Sequence, residues 1–328
     1  MKTDIRRRHF LAALSALPIA SVAPSLARAQ EKWPTRPVKL FVGFPPGGGA
    51  DAMARLMGAK LSERLGQPVV VDNKTGATGT ICSDFVAKSA PDGYTLQLAH
   101  INSNAIGPLM VAKGKFHPTD DFTPIALFGI TPQVLAHHPK HKFATVQGLV
   151  DYAKKNPGKL SFASSGVGSV QHIAGEDFKM RAGVEMLHVP FKGTGEALAA
   201  LISGDVDMTF SSTGSAMPQV KGGKLVLLAV GTPKRIPDMP SIPAIAETVK
   251  GFDMATWYGL AGPKGLPQPV VDRLYTEVQA ILKLPDVVKR FDELDAIVAT
   301  MSPKQFGEFW RNEVARYVKL IADAKIQA

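Results

Sequence analysis

Apolar positions along this chain alternate between short strand-like runs and helical repeats, and the first clear pair begins at residue 38. Residues 38–42 form a short run of mostly Val, Leu and Phe, which is typical of a buried strand. A turn of Pro and Gly follows at residues 44–49, and apolar residues then recur at helical spacing as far as Leu65, before Gly66. The pattern predicts a strand, a glycine turn and a helix that stops at this glycine.

The same alternation continues through most of the chain. Strands are predicted at residues 69–71, 94–98, 160–163 and 225–230, a helix near 81–88, and further strand–helix units at 185–203 and 206–221. Between residues 107 and 131 the pattern loosens into Gly, Pro and charged residues, and no element is assigned. Two series of strands and helices, each opening with a glycine-rich turn, favour two similar α/β domains over one long doubly wound sheet.

From residue 267 to the end the chain is predicted to be helical. Ser302 and Gln305 have the spacing of a capping box, with Pro303 at the first helical position. An apolar stripe then follows one helical face and is interpreted as core: Phe306, Phe309, Trp310, Val314, Val318 and Ile321. A closing helix that packs on a domain explains this stripe better than a membrane or partner helix does.

The glycine turn at residues 44–49 has the composition of an anion cradle. Glycine lets the backbone approach a ligand closely, and the first N–H groups of a helix have no partner inside the helix. A second such turn lies at residues 164–169. Because many strand–helix turns are rich in glycine for local steric reasons, the turns alone leave a purely structural explanation open.

Catalytic and metal-binding patterns are not supported. Ala163 and Val167 stand where the glycines of a hydrolase elbow would flank Ser165, and neither nucleotide-binding glycine motif is complete. The histidines at residues 137, 138 and 141 have no carboxylate in their loop, so no metal site is expected, and no cofactor is predicted. His100 and His172 border the loops expected to contact a ligand, although hydrogen-bonded structural histidines would look the same.

The extreme N-terminus predicts export. Residues 6–11 are basic and then apolar, an uncharged stretch follows, and residues 27–29 read Ala-Arg-Ala, a cleavage pattern. Arg7 and Arg8 fit a twin-arginine signal, but Ala12 departs from that pattern, so the general secretory route stays open. Proline and serine interrupt a stretch already too short to span a membrane. We expect a signal peptide over residues 1–29 and a mature protein in the periplasm.

Net charge and cysteine content limit which binding partners and covalent links are expected. Loss of residues 1–29 removes five basic residues and one acidic residue and lowers the net charge from +10 to +6. The remaining basic residues are scattered among acids, which does not favour nucleic-acid binding. Cys82 is the single cysteine, so no intramolecular disulfide forms. About 300 mature residues suffice for one large domain or two medium domains with real cores.

Several motifs, in this order, resemble the periplasmic solute receptors of tripartite tricarboxylate transporters, the TctC or Bug family. They are residues 33–38 (WPTRPV), 44–51 (FPPGGGAD), 65–73 (LGQPVVVDN), 90–96 (APDGYTL), 164–169 (SSGVGS), 189–194 (VPFKGT), 204–207 (GDVD) and 225–232. The resemblance covers nearly all of the mature chain. Ala50 and the pair at residues 81–82 depart from the commoner family residues, which bears on the ligand's identity.

The resemblance implies an α/β fold of two domains, a type II periplasmic binding protein of the Venus-flytrap kind with a ligand cleft between the domains. Domain 1 is expected to comprise residues 30–126 and 236–328, and domain 2 residues 127–235. Hinge closure is expected near residues 124–131 and 232–240. A monomer is expected. Its partners would be a small organic carboxylate and the integral-membrane subunits of a transporter. A receptor for a signalling kinase, or a periplasmic hydrolase, remains an alternative.

The expected ligand contacts come from the loops that the resemblance identifies. Backbone N–H groups of both glycine turns would hold the carboxylate, while Asp51 would cap its own helix or bind water. Asp207 is the weaker candidate, because a solvated strand end explains it equally well. The predicted contacts are Phe44, Gly48, Gly49, Ala50, Asp51, His100, Asn102, Ser103, Ser164, Ser165, Gly168, Ser169, His172, Lys192 and Asp207.

Overall fold

The first predicted strand, turn and helix are all present in the computed structural model, which describes residues 33–237 and 239–327. Strand β1 (Val38–Val42) leads through the glycine turn into helix α1 (Gly49–Leu65). Gly66 ends α1 in the left-handed conformation, with φ 69°, which a glycine adopts without a steric penalty. The predicted export signal lies outside the described residues.

The remaining elements follow the predicted alternation, with several additions. The strands are β2 (Val69–Asn73), β3 (Thr95–His100), β4 (Phe122–His137), β5 (Leu160–Ser164), β6 (Met186–Pro190), β7 (Met208–Ser212), β8 (Val226–Val230), β9 (Ala255–Pro263) and β10 (Ile297–Met301). The helices are α2 (Thr80–Ala87), α3 (Gly107–Met110), α4 (Val146–Lys155), α5 (Val170–Ala182), α6 (Thr194–Ser203), α7 (Thr213–Lys221), α8 (Gln268–Ile281), α9 (Pro285–Glu293) and α10 (Pro303–Asp323). No helix among the described residues is long and apolar enough to cross a membrane.

One curved sheet runs through the described residues in the order β2-β1-β3-β9-β4-β7-β5-β6, and β8 and β10 also pair with β4. Strands β1, β2 and β3 are mutually parallel, and so are β5, β6 and β7. Strand β4 pairs with β9 as far as Pro132 and with β7 from Gln133 onward. We call the part built on β1–β3 the first half and the part built on β5–β7 the second half; β4 connects them.

Helices α3 and α4 lie where no element was predicted, and three strands also correct the sequence-based assignment. Residues 122–137, expected to be partly irregular, form the 16-residue strand β4. Its pairing with β9 shifts register around Pro124 and Gly129. Such irregularities let a strand accommodate proline and glycine. Strand β9 was not predicted. Strand β10 interrupts the region expected to be helical after residue 267, and it pairs with β4.

Helix α10 confirms the predicted capping box at Ser302 and Gln305. Phe306 and Trp310 are buried and pack against Trp257 of β9, with ring centroids 5.8 and 5.6 Å away. Val318, predicted as core, is 51% exposed, whereas Tyr317 is fully buried, so the buried stripe is rotated towards Tyr317. Because the Trp310 indole N–H donates to the Asn104 carbonyl at 2.8 Å, α10 also fixes the loop that follows β3.

Candidate functional site

The turn between β1 and α1 presents backbone donors without protein partners. Gly48 is extended (φ −82°, ψ 169°) and precedes α1 without a side-chain cap. No acceptor among the described residues pairs with the N–H groups of Gly48, Gly49 or Ala50, and the two glycines are exposed. Unpaired N–H groups at a helix N-terminus are favourable partners for an anion.

Asp51 stabilises this turn through a hydrogen bond to its first glycine. Its carboxylate accepts from the Gly47 N–H (3.0 Å), from Arg55 (2.9 Å) and from the Asn73 amide (2.9 Å). Burial alone would raise the pKa of Asp51, but Arg55, the Gly47 N–H and Asn73 together hold it below its usual range. Asp51 therefore holds the turn through Gly47 rather than capping the helix, and its charge is compensated within the protein.

An aromatic wall of neutral groups stands beside the turn. The His100 ring lies 4.6 Å from the Phe44 ring and 5.2 Å from the Tyr258 ring, measured between centroids. A Cβ placed on Gly49 would lie 3.7 Å from the Tyr258 hydroxyl. Burial lowers the pKa of His100 to about 3 and raises the pKa of Tyr258 to about 12, so both rings stay uncharged near neutral pH. His100 Nδ1 accepts from the Asn102 N–H at 3.0 Å, which assigns the ring proton to Nε2.

The segment after β3 brings two more predicted residues to the boundary between the halves. The Ser103 hydroxyl donates to Asn104 Oδ1 at 2.7 Å and is buried. Asn102 Oδ1 accepts from the Val170 N–H at 2.8 Å. Since Val170 is the first residue of α5, the C-terminal edge of β3 in the first half meets the N-terminus of a helix in the second half.

The second glycine turn, between β5 and α5, differs from the first because most of its N–H groups have protein acceptors. Ser165 N–H donates to Gln171 Oε1 at 2.6 Å, and Gly168 N–H donates to His172 Nδ1 at 3.3 Å. Ser169 is the N-cap of α5, and its hydroxyl accepts from the His172 N–H at 3.2 Å. Unpaired backbone donors are therefore grouped at the first turn, whereas most of those at the second are already engaged by the protein.

A buried serine–histidine pair supports this second turn. Ser164 Oγ lies 2.6 Å from His188 Nε2, and the His188 ring stacks on His172 at 4.0 Å. Burial lowers the pKa of His172 to about 3 and that of His188 to about 4. Because Ser164 is fully buried and its hydroxyl also contacts the Gly166 backbone, the pair shapes the turn and does not present a nucleophile.

Of the remaining predicted residues, Asp207 lies apart from these groups. Asp207 precedes β7, where it accepts from the Ser161 N–H (2.8 Å) and lies 2.7 Å from His141 Nε2 and 2.9 Å from Lys140 Nζ. Since Ser161 and Ser165 are at opposite ends of β5, Asp207 lies at the edge of the sheet away from the turns. Lys192, by contrast, follows the end of β6 that pairs with Ser164, so it lies near the second turn; it is exposed, and its N–H donates to Glu196.

Sequence reasoning missed the strand residues between the halves. Tyr258 pairs with both His100 of β3 and Gly129 of β4, and Thr256 pairs with Thr131. The Gln133 amide donates to Thr256 Oγ1 at 2.8 Å. The one signal was the alternation of polar side chains at 131 and 133 and at 256 and 258, in segments where no strand was predicted. No group of three or more His, Cys, Asp or Glu suited to a metal occurs within the described ranges.

Comparison with known proteins identifies the family. The sequence signature described as the tripartite tricarboxylate transporter family receptor, TctC, matches residues 53–326. The chain belongs to this family. This TctC receptor is 36% identical over 329 residues to the UPF0065 protein in the tcbD-tcbE intergenic region of Pseudomonas sp. strain P51, covering 99% of this chain and 96% of that protein.

Solved structures extend the likeness to the fold. The R. palustris protein Rpa4515 with adipate has a TM-score of 0.85 and 35% identity, over 90% of this chain and 99% of that one. MatC from Rhodopseudomonas palustris with bound malate has a TM-score of 0.79 and 31% identity, over 88% and 99%. The predicted two-domain fold of a periplasmic solute-binding protein is thereby confirmed.

Proposed function

We propose that this TctC receptor captures a small carboxylate-bearing organic anion in the periplasm, closes its two halves on it, and delivers it to the membrane subunits of a tripartite tricarboxylate-type transporter. The observation that supports this proposal most strongly is the set of unpaired N–H groups at Gly48, Gly49 and Ala50. Adipate and malate, seen with two relatives, share the carboxylate that such donors bind.

The surroundings of the turn fit an anionic ligand. Asp51, the acid beside it, is already paired with Arg55 at 2.9 Å, so its charge does not face a ligand unopposed. His100 Nε2–H and the Tyr258 hydroxyl supply neutral donors in a buried wall. Phe44 adds an apolar surface suited to the carbon chain of an organic acid.

The two predicted domains, residues 30–126 with 236–328 and residues 127–235, would move as units about the strands that join them. The exchange of partners by β4, from β9 to β7 at residues 132–133, favours a hinge there, next to the predicted segment 124–131. The second predicted hinge segment, 232–240, follows β8. Closure is favoured when only the closed form offers both half-sites to one ligand.

Export is the premise of a periplasmic role. We propose that the signal at residues 1–29 is removed after Ala29, so that the mature chain begins at Gln30. N-terminal sequencing of protein from the periplasmic fraction tests this. Recovery of chains that begin at Met1 in the cytoplasm would contradict both the location and the delivery step.

Ligand capture is tested by thermal unfolding of the purified protein with a panel of organic acids that includes adipate and malate, with 1,6-hexanediol as the uncharged control for adipate. A ligand at 100 times its Kd stabilises the folded state by about 2.7 kcal/mol. We expect at least one carboxylate to raise Tm and the diol to leave it unchanged. No shift with mono-, di- or tricarboxylates would contradict carboxylate capture.

Delivery is tested separately in cells. A deletion strain should lose uptake of the radiolabelled carboxylate that binds, and the wild-type chain supplied in trans should restore it. Retained uptake together with loss of the transcriptional response to that carboxylate would instead assign the receptor to a signalling kinase.

A further inference from the structure

We infer that Thr78 and Asn102 form a clasp that closes the two halves on each other through protein–protein hydrogen bonds, without requiring a ligand. The inference rests on the proposed closure and goes beyond it, because it names residues of the first half that bond directly to the second. The clasp consists of two contacts, Thr78 with Val167 and Asn102 with Val170.

The first contact comes from a turn with an uncommon backbone. Residues 76–79 have four consecutive positive φ values, 124°, 46°, 58° and 89°. Two of these residues are glycines, but Ala77 and Thr78 are not, and a β-branched residue with positive φ is a genuine outlier. Such conformations persist where the surrounding structure fixes them, and they concentrate at ligand clamps and switches.

Close packing fixes this turn against the ligand site. A Cβ on Gly79 would lie 2.8 Å from Ser103 Cβ and 3.1 Å from the Phe44 ring. The Thr80 hydroxyl closes the turn by donating to the Ala77 carbonyl at 2.7 Å. Thr78 is thereby aimed at the second half, where its hydroxyl donates to the Val167 carbonyl at 3.0 Å.

The second contact gives Asn102 a role different from the predicted one. Its Oδ1 accepts from the Val170 N–H at 2.8 Å, the first N–H of α5. That N–H is one of the helix-terminal donors that an anion would otherwise attract. Asn102 therefore substitutes for an anion at the N-terminus of α5, and together with Ser169 and His172 it leaves the carboxylate to α1.

The clasp has a consequence for the protein without ligand. Bonds that exist only between the closed halves stabilise the closed state whether or not a ligand is present. The apparent Kd of a receptor equals its intrinsic Kd divided by the fraction of binding-competent protein. Weakening the clasp therefore lowers the unliganded closed fraction and the ligand affinity together.

The test measures distances between spin labels on the halves in the absence of ligand. Lys88 of the first half and Lys159 of the second are exposed, and Cys82 is buried, so the double substitution Lys88→Cys and Lys159→Cys places one label on each half. The wild-type background should show a closed population without ligand. Thr78→Val, which removes the hydroxyl but keeps the branched shape, and Asn102→Ala should each lower the closed-to-open ratio about 2- to 10-fold.

Two matched variants separate the clasp from general damage. Thr78→Ser keeps the hydroxyl and should keep the closed fraction. Asn102→Asp keeps an acceptor for the Val170 N–H and adds a negative charge, so the closed fraction should stay while carboxylate affinity falls. Absence of a closed population in the unliganded wild type, or unchanged distances in both Thr78→Val and Asn102→Ala, would overturn the clasp. Because these distances need no ligand, they remain decisive even if the carboxylate panel fails.

Discussion

The β1–α1 turn and the β5–α5 turn each join a parallel strand to a helix through glycines, but the partners of their N–H groups differ. In the first turn, Asp51 holds Gly47 from behind, and the next three N–H groups remain available. In the second, the side chains of Gln171 and His172 accept from Ser165 and Gly168. The comparison teaches that a glycine turn offers N–H donors to an anion only where the protein leaves them unpaired.

The electrostatics of the two turns differ in the same way. The first is held by an ionised carboxylate paired with Arg55, and the second by two stacked neutral histidines, His172 and His188. Because the Asp51–Arg55 ion pair engages only the Gly47 N–H of this turn, the N–H groups of the next three residues remain available to a ligand. A turn supported by side chains that accept from its own N–H groups is structurally complete without one.

The largest effect is expected from deleting one donor of the first turn. Gly49 is the first residue of α1, where proline fits the backbone, and the extended Gly48 before it is compatible with a following proline. Gly49→Pro should leave the fold intact and weaken carboxylate binding by about 10- to 150-fold, the loss of one hydrogen bond to a charged group. Isothermal titration measures this.

Gly49→Ala is the control for that variant. It keeps the N–H and adds a Cβ that lies 3.7 Å from the Tyr258 hydroxyl, an ordinary contact distance. Its affinity should stay within about threefold of the wild type, which corresponds to about 0.7 kcal/mol. Equal affinity of Gly49→Pro and the wild type would remove this turn from the site.

Acid should loosen the second turn before the first. The pKa of His172 is about 3 and that of His188 about 4, both below the roughly 6.5 of an unfolded chain, so the folded turn binds fewer protons. Below pH 6.5 the unfolded chain gains protons that the folded turn does not bind, so the free energy of unfolding falls as the pH is lowered towards 4. The loss is up to about 1.4 kcal/mol per pH unit for buried His172. The lowered pKa of Asp51 keeps the first turn's support ionised over that range.

Hydrogen exchange at pH 7 and pH 5, corrected for the intrinsic exchange rate, measures this difference. Amides of residues 165–172 should lose protection relative to that of Gly47. His172→Gln, which keeps an acceptor for Gly168 but does not titrate, should remove about half of the pH dependence, because His188 still titrates. Parallel loss at both turns would show that the histidines do not control it.

A smaller effect is expected at Ser169. As the N-cap of α5 its hydroxyl accepts from the His172 N–H, and removal of such a cap costs about 1 kcal/mol. Ser169→Ala should therefore lower the free energy of unfolding by that amount in urea titrations, while carboxylate affinity changes by less than threefold. A tenfold or larger loss of affinity without loss of stability would return Ser169 to the ligand.

Much of this arrangement was predictable from local sequence, and the remainder depends on distant contacts. The strand at residues 38–42, the stop at Gly66 and the cap at Ser302 follow from patterns within a few residues. Strands β4 and β9 were missed because proline, glycine and buried polar residues interrupt the alternation of apolar and polar positions by which a strand is recognised. Tyr258 lies beside the first turn only because β9 pairs with β3 and β4.

The predicted site shows the same division. The sequence located both glycine turns, but not which of their N–H groups are paired. Gln171 and His172 accept locally at the second turn, and the contact of Asn102 with Val170 depends on packing across the halves. Asp207 carried a plausible charge, yet it precedes β7 and lies at the far end of β5. No spacing rule distinguishes the two ends of a strand until the sheet is assembled.

The most direct test of the account is backbone amide NMR of the isotope-labelled protein titrated with a carboxylate that the thermal panel identifies. The account predicts that the amide resonances of Gly48, Gly49 and Ala50 show the largest shifts and gain protection from exchange at saturation. Those of Ser165 and Gly168 should shift less, because their protons already have protein acceptors. Large shifts confined to residues 165–169, with Gly48, Gly49 and Ala50 unchanged, would contradict the account.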